Sequence, residues 1–277
     1  MQKILNFYRL CFLVLLLLVI SDASPAQKPA DSLQDTREQL SRQVNNPNSL
    51  ITQIQLKDVV TSRVPGYNGS ANSLQIIPIL PIPRNKIFCF DQLIKITIQL
   101  PTVPGPVNET GLGDISLVDV GIIKRTWGEW GAGLTFVFPT ATSEILGQGK
   151  WQVGPSLAFM YTKIHNLIIG AIIQNQISFA GDPSRPAVNT LLLTPTCTWT
   201  LNGGWFVGYS DIDWSYDWRN DHDLTIPLGI QAGKVHHLGK LPLSVSAEAA
   251  WMGERPDYFP EWFFGFECIF IFPGARL

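Results

Sequence analysis

From Leu50 to Phe272, bulky apolar residues return at every second position in segment after segment. No other feature narrows the possible folds as much. Side chains alternate faces along a strand, so a period of two gives each segment one apolar face and one mixed face. The clearest run places Leu191, Leu193, Pro195, Cys197, Trp199 and Leu201 against Thr190, Leu192, Thr194, Thr196, Thr198 and Thr200. The last run, Trp262–Phe272, sets Trp262, Phe264, Phe266, Cys268, Phe270 and Phe272 against a face that carries Gly265 and Glu267. A strand edge with so aromatic a face would aggregate in water. A strand that closes a barrel in lipid requires such a face, because lipid satisfies no backbone polar group and every ladder must close on itself.

Twelve such segments can be marked, at 50–57, 73–82, 92–100, 112–124, 128–138, 150–161, 167–179, 189–201, 204–216, 222–235, 241–252 and 260–272. The connections alternate in length: 58–72, 101–111, 139–149 and 180–188 are long, whereas 125–127, 162–166 and Asn202-Gly203 are short. Short turns on one side and longer loops on the other fit an up-and-down transmembrane barrel, and an even strand count puts both chain ends on the short-turn side. Three segments fit less well. The fourth loses its alternation around Asp114 to Val120, and the second contains Pro78 and Pro81, which are awkward inside a sheet. In the ninth, Asp211 and Asp213 share parity with Trp205, Val207 and Tyr209. Either a bulge shifts the phase or the two acids line the lumen, and the bulge is preferred. The soluble alternative, a secreted barrel or sandwich, would need a polar outward parity.

Composition agrees with a surface that does not all face water. Charged residues make up 15% of the 277, against about 25% in soluble domains. Mean hydropathy is only +0.13, as expected when half of each strand faces lipid and half a lumen. Nine tryptophans suit aromatic belts at two interfaces. A net charge of −2 gives no reason to expect nucleic acid as a partner.

Residues 1–26 have the layout of a cleaved signal peptide, with Lys3 and Arg9 before an apolar core at 12–20 and small residues at 21–26. An uncleaved anchor is the alternative, but the core is short for a span. Residues 27–48 form a polar lead-in, helical or mobile, ended by Asn45-Asn46-Pro47. The barrel then occupies 49–277. Cys89, Cys197 and Cys268 have neither disulfide nor zinc spacing. Cys197 and Cys268 lie on the apolar parity and suit small lipid-facing hydrophobes.

By parity, the lumen receives Lys95, Gln99, Gln152, Thr196, Glu248 and Glu267. Asp182 and Arg185 in a long loop can fold inward and narrow the mouth. Gly147-Gln148-Gly149-Lys150 lacks the spacing of a phosphate loop and suits a hairpin. Of the histidines, His165, His236 and His237 fall in short turns and only His222 on the long-loop side, so no catalytic set, metal site or cofactor is expected.

The residues also resemble a bacterial family named for the MetA pathway of phenol degradation, classed as outer-membrane transporters and in places labelled neuromedin U. The similar stretches are Asn46-Pro47 with Leu50-Ile51, residues 74–81, 111–115, 138–142 and 146–151, and Gly154-Pro155. They continue through Ala180-Gly181-Asp182 with Arg185 and Val188-Asn189, Tyr216-Asp217-Trp218, residues 233–242, and Pro260-Glu261-Trp262 running into 270–273. The chain departs from the family at His236-His237 and after Pro273. Its last strand also resembles the aromatic-ended strand that outer-membrane insertion machinery reads, although five residues follow Phe272. The resemblance implies a closed transmembrane barrel.

The resulting expectation is an all-β, closed antiparallel up-and-down barrel of about twelve strands in the bacterial outer membrane. It touches lipid and the insertion machinery, and passes small aromatic or hydrophobic solutes without catalysis or cofactor. The alternatives are an outer-leaflet lipid-modifying enzyme and a closed structural or surface-interaction barrel.

Overall fold

A computed structural model describes residues 30–86, 88–219, 223–238 and 241–272. A helix, α1 (Ala30–Val44), precedes β1 (Thr52–Arg63), β2 (Ser70–Ile82), β3 (Asp91–Val103), β4 (Glu109–Thr110), β5 (Ile115–Arg125), β6 (Gly128–Phe138) and β7 (Lys150–Tyr161). Then follow β8 (Leu167–Gly181), β9 (Asn189–Thr200), β10 (Trp205–Tyr209), β11 (Trp214–Asp217), β12 (Leu224–Leu238), β13 (Leu241–Glu254) and β14 (Trp262–Phe272). Each strand pairs antiparallel with its neighbours, and β1 pairs with β14 from Thr52↔Phe272 to Thr61↔Phe263, which closes the sheet. Among the described residues β4 is a two-residue ladder in a loop, and β10 and β11 are halves of one stave. The wall is therefore a closed twelve-stave barrel. Residues 1–26, expected to be a signal peptide, together with His222 and the tail 273–277 lie outside the described residues.

The outward parity is apolar around the wall. Leu157, Phe159, Ile173, Phe179, Trp199, Leu228, Ile230 and Phe264 are all exposed. So continuous an exposed apolar surface exceeds what water tolerates and matches a hydrocarbon solvent. The nine tryptophans separate by height. Trp127, Trp130, Trp199 and Trp205 lie at the short-turn end, and Trp151, Trp214, Trp218, Trp251 and Trp262 at the loop end. Two belts with an aliphatic band between them are the pattern of a barrel seated across a bilayer. Trp205 at the turn end also carries the Lys234 ammonium over its ring, 5.0 Å from the centroid. Cys197 is exposed on the outer face and Cys268 half-buried there.

Four sequence expectations need correction. The first connection is 64–69, not 58–72, because β1 and β2 zip on past Lys57 as far as Arg63↔Ser70. The fourth segment keeps its alternation. Ser116, Val118 and Val120 line the lumen, and Asp119, paired with Leu134, is an acid on the outward parity. Another outward acid, Asp58, accepts a hydrogen bond from the Asn72 side chain beside it. The prolines of the second segment do lie within a stave, Pro78 opposite Ile54 and Pro81 opposite Leu93, but the β2–β3 pairing is interrupted at Ile77 and Pro78, between Ile76↔Ile98 and Ile79↔Lys95. His236 and His237 lie within β12, not in a turn, because β12 and β13 stay paired to Leu238↔Leu241.

Glycine is required where strands approach most closely. A Cβ on Gly154 would lie 1.6 Å from the Asn175 carbonyl oxygen of β8, and one on Gly133 1.8 Å from the Asp119 carbonyl oxygen of β5.

Candidate functional site

The inward parity encloses a cavity of about 620 Å³ that runs from Ser215, Thr225 and Phe259 near the loops to Val44, Asn45, Pro47 and Asn48 at the turn end. Its floor is the segment that reads as a polar lead-in. On α1, Leu40 and Val44 pack against Ile51 and against the inward residues Val235, Ile269 and Ile271. Burying a leucine and a valine there contributes about 1.5–3 kcal/mol each. Polar contacts fix the rest of the floor. The Gly203 amide donates to Glu38 Oε1 at 3.1 Å, the Arg42 guanidinium donates to Asn166 Oδ1, and Asn46 Nδ2 donates to Glu129 Oε2 at 3.1 Å. Leu50 packs on the aliphatic cluster of Ile77, Ile79, Leu93, Val120 and Ile122 from β2, β3 and β5. This floor segment thus touches inward residues or turns from β14 and β12 through β9, β8 and β6 to β2.

The cavity wall has two chemistries. One side is the aliphatic cluster. The other is charged, where Lys57 of β1 stands opposite Glu267 of β14. Its ammonium lies 2.9 Å from Glu248 Oε1 and 3.5 Å from Asp211 Oδ2, and donates to the Asp211 carbonyl at 3.0 Å. The Asp211 amide in turn donates to Glu248 Oε2 at 2.8 Å. The ninth stave explains this geometry. Residues 210–213 leave the sheet between β10 and β11, and Asp211, Ile212 and Asp213 line the cavity. The Thr194 hydroxyl donates to Asp213 Oδ1. The expected bulge is therefore a full break, and both acids belong to the lumen. An inward acid needs a partner, and Lys57 is held where the broken strand can reach it.

The loop end is tied by backbone contacts. Arg185 donates to the Glu144 and Gly147 carbonyls, and Lys150 Nζ to the Asp182 carbonyl. Asp182 Oδ1 accepts the Ser184 hydroxyl at 2.7 Å and the Ser184 amide at 2.8 Å. Those two bonds, with Lys150 and Arg185 nearby, hold the Asp182 carboxyl below its usual value. Asp182 and Arg185 thus bind two loops to each other. The Gly147–Lys150 stretch is a hairpin entry whose lysine is used in the same latch.

Of the residues placed in the lumen by parity, Lys95, Gln99, Thr196 and Glu267 line the cavity, and Glu248 faces inward in the Lys57 cluster. Gln152 is buried on the inward parity nearer the loops, its amide donating to the Gln148 side chain. Sequence reasoning missed Lys57, Gln53 and Asn48, and weighed Asp211 and Asp213 in the lumen only as the less favoured alternative to a bulge. Lys57 shares parity with Gln53 and Gln55, a signal that was available; the break that brings in Asp211 had only the parity clash to announce it. His165 lies in the 162–166 turn, and His236 and His237 at the same end of the barrel.

No protein-family model matches the chain, and no curated protein does. Among solved structures, a KdgM porin superposes with a TM-score of 0.47 at 11% identity, over 79% of this chain and 99% of the porin. Outer membrane phospholipase A from Escherichia coli superposes with a TM-score of 0.44 at 10% identity, over 84% of this chain and 98% of that one. These likenesses concern barrel architecture alone.

Proposed function

We propose that the chain is an outer-membrane channel or facilitator for small aromatic or hydrophobic solutes. The loop end faces outside and the turn end the periplasm, where α1 acts as a movable stopper. The observation that carries this reading is the two-faced cavity. An aliphatic wall beside a charged one suits solutes with an apolar body, and selectivity then comes from width and charge, not from chemistry. The resemblance to the MetA-pathway family of phenol degradation supports the same reading. In this account β14 is the strand read by the insertion machinery.

The test is single-channel conductance of the mature chain in planar bilayers, with heat-modifiable gel mobility as the folding control. Discrete steps are expected, together with altered ion preference on charge reversal at Lys95 or Glu248. A conducting barrel with unchanged preference would remove those residues from the passage. The docked stopper favours a second reading, a closed structural barrel. Persistent silence of a folded barrel from which residues 27–48 have been deleted would select it.

A further inference from the structure

Charge is divided unevenly between the two ends of the barrel. At the loop end, residues 104–114, 139–149 and 255–261 carry Glu109, Asp114, Glu144, Asp257 and Glu261 against Arg255 alone. The short-turn end is the reverse along the arc from β2 to β8. Arg84 and Lys86 lie between β2 and β3, Lys124 and Arg125 end β5, and Lys163 lies between β7 and β8; all five are exposed. The two acids of that arc are engaged. Asp91 accepts the Arg84 backbone amide at 3.0 Å, and Glu129 accepts from Asn46 in the floor, with Lys124 nearby. Among the described residues the side chains of Arg84, Lys86, Arg125 and Lys163 make no hydrogen bond, and no carboxylate lies within 4.0 Å of them.

A second observation sets the level and facing of these cations. Gly121 is on the outward parity of β5, as Asp119 and Arg125 are, and a Cβ there would lie 2.7 Å from the Phe90 ring. The connection 83–90 thus lays Phe90 on the outer wall. Phe88 is beside it, with ring centroids 6.2 Å apart, and both are exposed. In the next turn Trp127 stacks on outward Phe159, with centroids 5.1 Å apart. The Thr162 amide donates to the Trp127 carbonyl at 3.1 Å, which joins that turn to the one holding Lys163. Outward aromatic rings mark the level where hydrocarbon gives way to head groups. Cations in the same three turns stand at the height of lipid phosphates, and their long stems let the charged ends reach them.

We infer that this arc is a docking surface for anionic glycerophospholipids of the leaflet at the short-turn end. The phosphodiester accepts from Arg84 and Lys86 or from Arg125 and Lys163, while the acyl chains cover Phe88, Phe90 and Phe159. A zwitterionic head group brings its own ammonium into an unneutralised basic cluster, and that repulsion supplies the discrimination. The surface lies outside the lumen. It requires that the wall span a bilayer and is independent of whether the barrel conducts.

The test is native mass spectrometry of the full mature chain, folded in detergent micelles and titrated with dioleoylphosphatidylglycerol or dioleoylphosphatidylcholine. The anionic lipid should bind about tenfold or more tightly. Arg84→Gln, Lys86→Gln, Arg125→Gln and Lys163→Gln combined should reduce that preference to within about twofold, with heat-modifiable mobility retained. If the combined variant does not fold, Arg125→Gln with Lys163→Gln carries the test, and the preference should fall at least about threefold. Arg63→Gln with Arg219→Gln, at the loop end, should leave the preference intact. Phe88→Ser with Phe90→Ser should weaken both lipids alike. Equal binding of the two lipids, a preference that survives the charge removal, or an equal loss in the loop-end variant would overturn the surface. Displacement by soluble glycerol 3-phosphate at the concentration of the lipid would show that the arc reads a phosphate without its chains, and would overturn the lipid assignment. A conducting barrel without the preference leaves the channel reading standing, and a silent one with it leaves this surface standing.

Discussion

Replacing Leu40 by alanine should loosen the stopper while leaving the barrel intact. Leu40 is 8% exposed and packs with Val44 against Ile51, Val235, Ile269 and Ile271. Buried leucine-to-alanine changes cost about 2–5 kcal/mol. Leu40 lies between a helix and a wall that can partly close the gap, so about 3 kcal/mol is appropriate, and that is about two decades in an equilibrium constant. The undocked population of residues 37–46 should therefore rise about a hundredfold. Hydrogen exchange of that segment in nanodiscs reads the change directly, whether or not the barrel conducts. Protection there should fall by about the same factor, while amides of β13 and β14 keep theirs. If conductance is seen, open probability should rise with it. A loss of less than about threefold, in a variant with normal heat modifiability, would refute the claim that this apolar contact holds the stopper. An equal loss across the strands would show that the cluster stabilises the wall instead.

Lys57→Met leaves Glu248 and Asp211 without their cation and should destabilise the barrel by about 3–5 kcal/mol. Lys57→Met combined with Asp211→Asn and Glu248→Gln should recover most of that loss, both measured by urea unfolding in vesicles. Gly154→Val should abolish folding, seen as loss of heat modifiability, because its Cβ falls on the Asn175 carbonyl. At the loop end, Tyr258 donates to Asp223 at 2.6 Å, and that bond, with some burial, pushes its phenol up to about 12. A raised phenol pKa stabilises the folded loop below the unfolded value of about 10 and loses that contribution as pH climbs towards the folded one. Proteolysis of residues 255–261 should therefore accelerate between those two pH values, and Tyr258→Phe should show the faster rate already at neutral pH.

Much of the wall could be read from residue order. Period two located the staves to within about three residues, apart from the first, which runs six residues past its expected end at Lys57, because in lipid the outward face must be apolar at each turn of the pleat. The same parity put Lys95, Gln99, Thr196, Glu248 and Glu267 inside. What escaped depends on contacts between distant segments. Lys57 reads as the end of a short first strand until β14 and the broken stave supply its partners, the nearest carbonyl lying 154 residues away. The break at 210–213 violates alternation, and a local rule offers a bulge before it offers an excursion across a lumen. The helical lead-in was visible, but its docking was not, since Leu40 and Val44 acquire a surface to pack against only when a mouth of the right width exists.

The stopper has a consequence for the order of assembly. α1 is among the first parts of the described chain to be made, yet its seats are Asn166, Gly203, Val235, Ile269 and Ile271, all from later sequence. The Glu38 to Gly203 contact alone spans 165 residues, and the cost of closing so long a loop must be met before the contact returns anything. The helix cannot seat until β14 has joined β1, so the barrel is inserted hollow and sealed last. During that interval the growing barrel has a wet lumen and a free amphipathic tail at its short-turn end. Seating of the tail then reports that all twelve staves are in register, much as a lid fits only a finished vessel.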